Sequence, residues 1–233
     1  MISDEVNMNI KAVLIDIDNT LLDFDKSAFI AMNETAKKHN VTFPEGYFDV
    51  FLRINDKLWK DLECGIIVKQ DIYNTRWNMI FKKLGICADG KAFEEDFRKE
   101  MRTTAVPVDG AEDILKYLSE KYPIYTASNA SKAQQKQRLE KTGLMKYITE
   151  MFTSEDIGFQ KPAKEFFYFC IREMYPLHAE DVVMIGDSVD ADIIGAKNFG
   201  IKSIWFDYNK NNFSNIDFTD YRITNLLEIK NIL

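Results

Sequence analysis

The sequence of 233 residues predicts an α/β protein that is interrupted by an all-helical domain. Short apolar runs alternate with segments of helical periodicity along most of the chain, which is typical of parallel strands joined by helices. From about Lys26 to about Arg102 this alternation stops, and helical patterns follow one another without a convincing strand. The length suits one large domain or one domain that carries a sizeable insertion.

The parallel sheet is predicted from short runs that are rich in apolar and β-branched residues. These runs are Ala12–Ile15, Pro123–Ala127, Met151–Thr153, Val182–Ile185 and Ser203–Phe206. Helical spacing appears between them in "GAEDILKYLSEK", "SKAQQKQRLEKTG" and "KEFFYFCIREMY". Near the end, "YRIT" and "NLLEIKNIL" predict an edge strand and a closing helix. We therefore expect residues 1–25 and 103–233 to form a Rossmann-like parallel sheet covered by helices on both faces.

The predicted insertion covers residues 26–102 and contains helical patterns only. They are "KSAFIAMNETAKKH", "FDVFLRINDKLWKDLECG", "KQDIYNTRWNMIFKKLG" and "KAFEEDFRKEM". Glycines lie near the breaks between the patterns, at Gly46, Gly65, Gly85 and Gly90. Because these patterns follow the first strand directly, the helical domain is expected to be inserted into the α/β domain.

Composition and charge exclude several classes of function. A net charge of −7 and a pI near 5.0 argue against a nucleic-acid-binding surface, which needs a basic footprint. A small anionic ligand needs only a few local cations or one metal ion. The three cysteines are widely spaced and predict reduced thiols rather than disulfides or a zinc site. The N-terminal "MISDEVNMN" lacks an apolar segment of signal-peptide length, and no apolar run approaches the roughly 20 residues that cross a bilayer. A cytoplasmic protein is expected.

The chain has only two histidines, His39 and His178, and both lie in sequences typical of surface helix ends and loops. Catalysis by Ser-His-Asp or Cys-His groups and histidine-rich metal sites are therefore disfavoured. If the protein is an enzyme, carboxylates and a lysine must carry the chemistry.

Polar and charged residues follow the ends of four predicted strands. They are Asp16 and Asp18 after the first, Ser128 and Asn129 after the second, Lys161 downstream of the third, and Asp187, Asp190 and Asp192 after the fourth. Ligands of open parallel sheets bind beyond the carboxyl ends of the strands, so these residues are expected to meet at one edge. A solvated turn would explain any one of them, but not all four together.

These residue types favour phosphate chemistry. Clustered carboxylates without histidine select a hard, oxygen-binding cation, above all Mg2+. A lysine and a hydroxyl beside that ion would form a cradle for an oxyanion. Asp16 and Asp18 are two residues apart, so in extended chain they share a face at a separation of roughly 6.5–7 Å. That separation suits one carboxylate that attacks a phosphorus atom and another that serves the leaving oxygen.

The motifs "DIDNT", "SN", "QKP" and "GDSVDAD" resemble, in order and spacing, the four motifs of the haloacid dehalogenase superfamily. The helical insertion resembles the type 1 cap of that superfamily. "NDKLWKDLECGII", "SEDIGFQKPAKEFF" and "GDSVDADIIGAKNFG" are further similar to the branch that contains bacterial pyrimidine 5′-nucleotidases. The resemblance implies a Mg2+-dependent phosphatase of small phosphate monoesters, with pyrimidine nucleoside 5′-monophosphates as the expected substrates.

The resemblance also implies a role for each motif residue. Asp16 is expected to be the nucleophile that forms an aspartyl-phosphate, and Asp18 the acid and then the base. Lys161 would stabilise charge on the phosphoryl group. Ser128 and Asn129 would bind the phosphate, helped by amides at the start of the following helix.

The same resemblance implies that Mg2+ is held by the carboxylates of Asp16 and Asp187 and by the backbone carbonyl of Asp18. Asp192 would hold Lys161 or metal-bound water. Asp190 competes for that role, and Asp192 is favoured because it leads directly into "IIGAKNFG". The chain departs from the family pattern at Ala130, where relatives usually carry glycine, and this could shift the amide cradle.

The organic part of the substrate is expected to be recognised by the helical insertion. The candidates are Asn55, Trp59 and Arg76, with Phe24 at the entrance. Trp59 could stack on a base, a contact worth roughly 1–3 kcal/mol in single-stranded nucleic-acid sites. The alternative remains open for each residue, because aromatic residues at helical spacing are often core residues.

Four other functions compete with a nucleotide phosphatase. A phosphatase of sugar phosphates or other small metabolites would use the same fold and motifs. A haloacid dehalogenase shares the fold and the Asp nucleophile but needs no metal, and Asp18 and Asp187 argue against it. Receiver domains of signalling proteins are far shorter and lack the helical insertion. A non-catalytic binding protein would have no reason to keep every expected catalytic position.

Overall fold

The computed structural model describes residues 9–208 and 217–233. The chain divides into two compact units, one formed by Met1–Asp23 with Pro107–Leu233 and the other by Phe24–Val106. The insertion was predicted to cover residues 26–102, and the observed unit covers Phe24–Val106. The expectation of no signal peptide was based on the N-terminal segment "MISDEVNMN". Most of that segment lies outside the described residues.

The unit formed by Phe24–Val106 is called the helical unit. Its helices are α1 (Phe24–Lys38), α2 (Tyr47–Glu63), α3 (Lys69–Leu84) and α4 (Gly90–Thr103). All four helices contribute buried residues to one core, whose aromatic centre is Trp77 of α3. The ring centroid of Trp77 lies 4.2–5.8 Å from those of Phe51, Phe81, Phe93 and Phe97. This core explains the helical spacing of the aromatic residues in α2–α4.

The second unit, called the sheet unit, contains a parallel sheet. Its strands are β1 (Ala12–Ile15), β2 (Ile124–Ser128), β3 (Glu150–Thr153), β4 (Val182–Gly186), β5 (Lys202–Phe206) and β6 (Tyr221–Ile223). Their order in the sheet is β3-β2-β1-β4-β5-β6, and every neighbouring pair is parallel. The predicted α/β class with a parallel sheet is confirmed.

Helices and shorter helical turns connect these strands. They are α5 (Ala111–Ser119), α6 (Lys132–Lys141), α7 (Ser154–Ile157), α8 (Lys164–Glu173) and α9 (Gly195–Phe199), with 3-10 turns at Leu144–Tyr147, Ala179–Asp181 and Leu226–Asn231 and a π-helical turn at Val189–Ile194. The predicted closing helix is thus a 3-10 segment. Within the described ranges, no helix is both long enough and apolar enough to span a membrane.

Strand β1 shows why the sheet forms where it does. All four of its residues are buried, as expected for a central strand with both faces covered. Ala12 and Leu14 pack with α8 and α9 on one face, and Val13 and Ile15 point to the opposite face. The chain passes from β1 outward to β2 and β3 and then returns to β4 on the other side of β1. The carboxyl end of β1 is therefore the switch point at which such sheets bind ligands.

Candidate active site

Lys161 is the centre of a buried cluster beyond the carboxyl end of β1. Its Nζ atom donates to Asp16 Oδ1 at 2.7 Å, to Asp192 Oδ1 at 2.5 Å and to the backbone oxygen of Ala127 at 2.7 Å. All three ammonium hydrogens thus have acceptors. Lys161 is only 2% exposed, so its charge and those of Asp16 and Asp192 interact with little screening by water.

Asp187 adds a third carboxylate to this cluster. One carboxylate oxygen from each of Asp16, Asp187 and Asp192 lies within 4.8 Å of the others. Burial and the neighbouring carboxylate of Asp192 raise the pKa of Asp16 to about 8, although Lys161 opposes this shift. Burial and the nearby charge of Asp16 likewise raise the pKa of Asp187 well above its ordinary value. Burial would lower the pKa of Lys161, but the two carboxylates outweigh it and raise that pKa.

Three carboxylates therefore share one ammonium group, and the cluster has an excess of negative charge when all three are ionised. Hard carboxylate oxygens at this spacing, without histidine or cysteine among them, suit Mg2+. The residues present thus fit the cation that the sequence motifs imply.

The sequence around β4 places Asp192 and Asp187 by close packing. A Cβ atom at Gly186 would lie 2.2 Å from Asp192 Oδ2, so only glycine leaves room for that carboxylate. The backbone N–H of Ser188 donates to the same Asp192 oxygen at 3.1 Å. Trp205 Nε1 donates to the backbone oxygen of Asp187 at 2.9 Å. Asp192 is buried in the cluster, whereas Asp190 is exposed.

Asn129 connects the end of β2 with the segment that carries Lys161. Its Oδ1 accepts from the backbone N–H of Lys161 at 2.8 Å, and its Nδ2 donates to the backbone oxygen of Lys161 at 3.0 Å. The sequence predicted a phosphate contact for Asn129. In the structure both polar atoms of its side chain bind the backbone of Lys161, whose ammonium group donates to Asp16.

Ser128 ends β2, and its hydroxyl oxygen accepts two hydrogen bonds. The donors are the backbone N–H of Ala130 and Nε2 of Gln135, each at 3.1 Å. Outside glycine, positive φ angles in the described ranges occur at Asn19 and Asn40 and not at Ala130. The backbone of Ala130 therefore does not adopt the conformation that favours glycine.

Asp18 is held by two residues of α6 that the sequence analysis missed. Gln135 Nε2 donates to Asp18 Oδ2 at 2.6 Å, and Arg138 Nη1 donates to Asp18 Oδ1 at 2.5 Å. A signal for both was present in the sequence. In α6 the only apolar residues are Ala133 and Leu139, so a helix that covers the sheet must bury polar side chains as well. Gln135 and Arg138, three residues apart, lie on the face that also carries Leu139.

The candidates for substrate recognition, Phe24, Asn55, Trp59 and Arg76, all belong to the helical unit. Arg76 donates to both carboxylate oxygens of Glu94, at 3.1 and 2.7 Å, and to Asn55 Oδ1 at 2.9 Å. Arg76 and Asn55 therefore serve one buried network, a use that the sequence did not predict.

The two aromatic candidates also have partners inside the helical unit. The ring of Phe24 stacks on that of Phe51 at a centroid distance of 6.4 Å. Trp59 is half-buried and packs against a small apolar cluster of Leu58, Leu62 and Ile72. Its partial burial leaves part of the indole exposed.

Comparisons with known proteins agree with the motifs. The family described as haloacid dehalogenase-like hydrolase matches residues 10–200. The chain is 36% identical over 206 residues to the pyrimidine 5′-nucleotidase PynA of Streptococcus pneumoniae, covering 88% of this chain and 86% of that protein. It is 29% identical over 193 residues to the pyrimidine 5′-nucleotidase YjjG of Escherichia coli, covering 83% and 84%.

A solved structure is similar over nearly the whole chain. The magnesium-bound crystal structure of the HAD-hydrolase YfnB from Bacillus subtilis superposes with a TM-score of 0.90 at 29% identity, covering 96% of this chain and 98% of that one. The similarity therefore includes both the sheet unit and the helical unit.

Proposed function

Because the chain belongs to the haloacid dehalogenase-like hydrolase family, we propose that it is a Mg2+-dependent phosphatase that acts through an aspartyl-phosphate on Asp16. The observation that carries the proposal is the buried cluster in which Lys161 contacts Asp16 and Asp192 while Asp187 lies within 4.8 Å. Such an arrangement provides a nucleophile, a fixed positive charge and oxygen ligands at one point of the sheet edge.

The first chemical step forms a bond between an Asp16 carboxylate oxygen and phosphorus while the bond from phosphorus to the ester oxygen breaks. Asp18 gives a proton to the departing alkoxide in this step. In the second step Asp18 takes a proton from water, and the water oxygen attacks the phosphorus atom of the aspartyl-phosphate. Phosphate is released and the Asp16 carboxylate is restored.

Other residues of the sheet unit bind and neutralise the phosphoryl group. Lys161 supplies a fixed positive charge against both Asp16 and the phosphoryl oxygens. Asp192 keeps the ammonium in place through its 2.5 Å contact. Ser128 lies at the end of β2, where its hydroxyl can donate to a phosphate oxygen.

Mg2+ would be held by the carboxylates of Asp16 and Asp187 and by the backbone carbonyl of Asp18. When bound, it supplies positive charge that offsets the repulsion between Asp16 and a phosphate dianion.

The proposed substrates are pyrimidine nucleoside 5′-monophosphates. Two relatives that carry the name pyrimidine 5′-nucleotidase, at 36% and 29% identity over most of the chain, support this choice. Within the helical unit, Trp59 is the candidate for stacking on the base because part of its indole is exposed. Phe24 is proposed to line the same recognition surface, whereas Asn55 and Arg76 are engaged in the buried network with Glu94.

Phosphate release from a panel of monophosphates tests the proposal. The panel contains UMP, dUMP, dTMP, AMP, several sugar phosphates and p-nitrophenyl phosphate, each with Mg2+ and then with excess EDTA. We expect metal-dependent release that is fastest with the pyrimidine nucleotides. Faster release from a sugar phosphate would contradict the substrate, and no release at all would contradict the phosphatase.

Two variants separate the chemistry from the recognition. Asp16→Asn should fold, as judged by circular dichroism, and lose phosphate release from every substrate. Trp59→Ala should lower kcat/KM for UMP by about 5- to 150-fold, which corresponds to a stacking contact of roughly 1–3 kcal/mol. It should affect p-nitrophenyl phosphate far less. An unchanged ratio between the two substrates would assign Trp59 to the apolar cluster alone.

A further inference from the structure

The buried face of α6 has a polar composition that stability alone does not explain. Gln135 and Arg138 are both completely buried. Within the described part of the chain, Nε and Nη2 of Arg138 have no hydrogen-bond partner. A buried guanidinium with unsatisfied donors is unfavourable for folding, so its presence indicates a role in the site that it touches.

Arg138 fixes the orientation of the Gln135 amide. Nη1 of Arg138 donates to Gln135 Oε1 at 2.8 Å as well as to Asp18. Arginine can only donate hydrogen bonds, so the oxygen of the Gln135 amide must face Arg138. The amide nitrogen must then face the other side, where Asp18 and Ser128 lie.

Gln135 uses the two hydrogens of its amide on two residues of the site. Nε2 donates to Asp18 Oδ2 at 2.6 Å and to Ser128 Oγ at 3.1 Å. Ser128 Oγ also accepts from the backbone N–H of Ala130. Both lone pairs of the hydroxyl are thus taken, and its single hydrogen is left to donate elsewhere.

Asp18 is restrained at both carboxylate oxygens. Oδ1 faces Arg138 and Oδ2 faces Gln135. Two contacts to one planar group fix its rotation about the side-chain bond, as a proton-transfer group requires. The side chain is still 29% exposed, so a proton can reach it from outside the cluster.

We propose that Gln135, anchored by Arg138, is a positioning residue that makes Ser128 a hydrogen-bond donor and orients Asp18 for proton transfer. This inference rests on the proposed phosphatase mechanism and adds to it the residues that prepare the phosphate-binding hydroxyl and the acid–base group. Gln135 and Arg138 do not touch the substrate in this proposal. Their effect passes entirely through Ser128 and Asp18.

The test compares Gln135→Met with the control Gln137→Met, which makes the same change at an exposed position of the same helix. Release of the leaving group in a single turnover is measured for p-nitrophenyl phosphate and for UMP, or for the alkyl phosphate that the wild type hydrolyses fastest. The p-nitrophenolate ion leaves without a proton, whereas the alkoxide of a nucleotide needs one from Asp18.

We expect Gln135→Met to slow the alkyl phosphate by roughly 10- to 100-fold more than p-nitrophenyl phosphate, because misorienting Asp18 loses part of the roughly 10²–10⁴-fold that a positioned acid contributes. With excess p-nitrophenyl phosphate, the variant should release a burst of p-nitrophenolate near one equivalent of enzyme, because the second step still needs Asp18 as a base. Gln137→Met should match the wild type in both measurements.

Equal slowing of both substrates without a burst would overturn the proposal, since a purely structural role only reduces the amount of active enzyme. Wild-type behaviour of the variant would also overturn it. If Gln135→Met does not fold, Gln135→Glu provides the test, because it keeps an oxygen for Arg138 while a carboxylate oxygen replaces the donor and repels Asp18. Failure of the proposed function is a separate result, in which the wild type releases phosphate from no monoester.

Discussion

The two units of the molecule each bury a group of charges, and the two groups differ in charge balance. In the helical unit the guanidinium of Arg76 faces the carboxylate of Glu94, one positive charge against one negative charge, and Asn55 takes a further donor. In the sheet unit one ammonium, that of Lys161, faces three carboxylates.

The comparison distinguishes a buried group whose charges neutralise one another from a buried group that needs a bound cation to neutralise it. The Arg76–Glu94 pair has two hydrogen bonds between its members, and the guanidinium lies 5.0 Å from the ring centroid of Phe97. In the sheet unit the excess of carboxylates raises the pKa values of Asp16 and Asp187. Unbalanced buried charge opposes folding and is typical of functional sites.

The largest effect on stability is expected from breaking the balanced pair. Arg76→Met leaves the Glu94 carboxylate buried without its partner, with both side chains at most 5% exposed in the wild type. We expect the free energy of unfolding at neutral pH, measured with urea, to fall by roughly 3–5 kcal/mol. Arg53→Met, the same change at an exposed position of α2, should alter it by less than about 0.5 kcal/mol.

The loss in Arg76→Met should depend on pH. Burial raises the pKa of Glu94 above its ordinary value of 4.5, and Arg76 opposes that shift. Without Arg76 the folded-state pKa rises further, so the folded protein keeps the proton of Glu94 to a higher pH than the unfolded chain does. The loss relative to the wild type is then smallest below pH 4.5 and grows as pH rises through the folded-state pKa of Glu94 in the variant. A loss that is equal at pH 5 and pH 8 would contradict this account.

A smaller effect is expected from crowding the unbalanced cluster. In Gly186→Ala the new methyl group would lie 2.2 Å from Asp192 Oδ2, so the carboxylate must move away from Lys161. We expect a loss of about 1–3 kcal/mol in unfolding free energy together with a fall in phosphate release. The Cβ atom of Asp192 would also lie 2.7 Å from the new methyl group, so the double variant Gly186→Ala/Asp192→Gly is needed to remove the clash. It should recover part of the stability but not the activity. Recovery of both would mean that Asp192 has no role in holding Lys161.

Removing one carboxylate charge from the unbalanced cluster should raise the free energy of unfolding rather than lower it. Asp187→Asn relieves repulsion among buried carboxylates, so we expect the metal-free protein to gain about 0.5–2 kcal/mol. Mg2+ at 100 times its Kd should stabilise the wild type by about 2.7 kcal/mol and the variant much less. Calorimetric unfolding with and without Mg2+ measures both effects. Equal stabilisation of the two proteins by Mg2+ would exclude Asp187 as a ligand.

Local sequence patterns predicted the strands and the residues that follow them. The predicted first strand, Ala12–Ile15, has the same bounds in the structure, because an unbroken apolar run between polar residues leaves little choice of limits. Because β1 and β2 are parallel neighbours, Asp16 and Ser128 lie at the same edge of the sheet. The predicted closing helix forms over Leu226–Asn231 as a 3-10 helix, which suits the three-residue spacing of Leu226 and Ile229.

Contacts between distant parts of the chain could not be predicted in the same way. Arg138 contacts Asp18, which lies 120 residues earlier in the sequence. Nothing in the sequence of α6 indicates which acidic residue Arg138 contacts. Arg76 was predicted to contact substrate, and its partner Glu94 could not be identified from the sequence because it lies on the following helix. A polar residue at a buried helical position signals that a partner exists, and only the fold identifies the partner.

The smallest effect on stability is expected at an ion pair that is exposed. This pair has equal and opposite charges but is not buried, so it tests whether burial is what makes the Arg76–Glu94 pair important. Glu34 accepts from Lys37 at 2.5 Å on α1 in the helical unit, with side chains 48% and 70% exposed. Water already solvates both charges, so Glu34→Gln leaves no unpaired buried group behind. We expect a loss below about 0.5 kcal/mol that disappears at high salt. A fall in unfolding free energy as large as that of Arg76→Met would mean that pairing of opposite charges stabilises the helical unit whether or not the pair is buried. The difference between the two buried clusters could then not be explained by the removal of their charges from water.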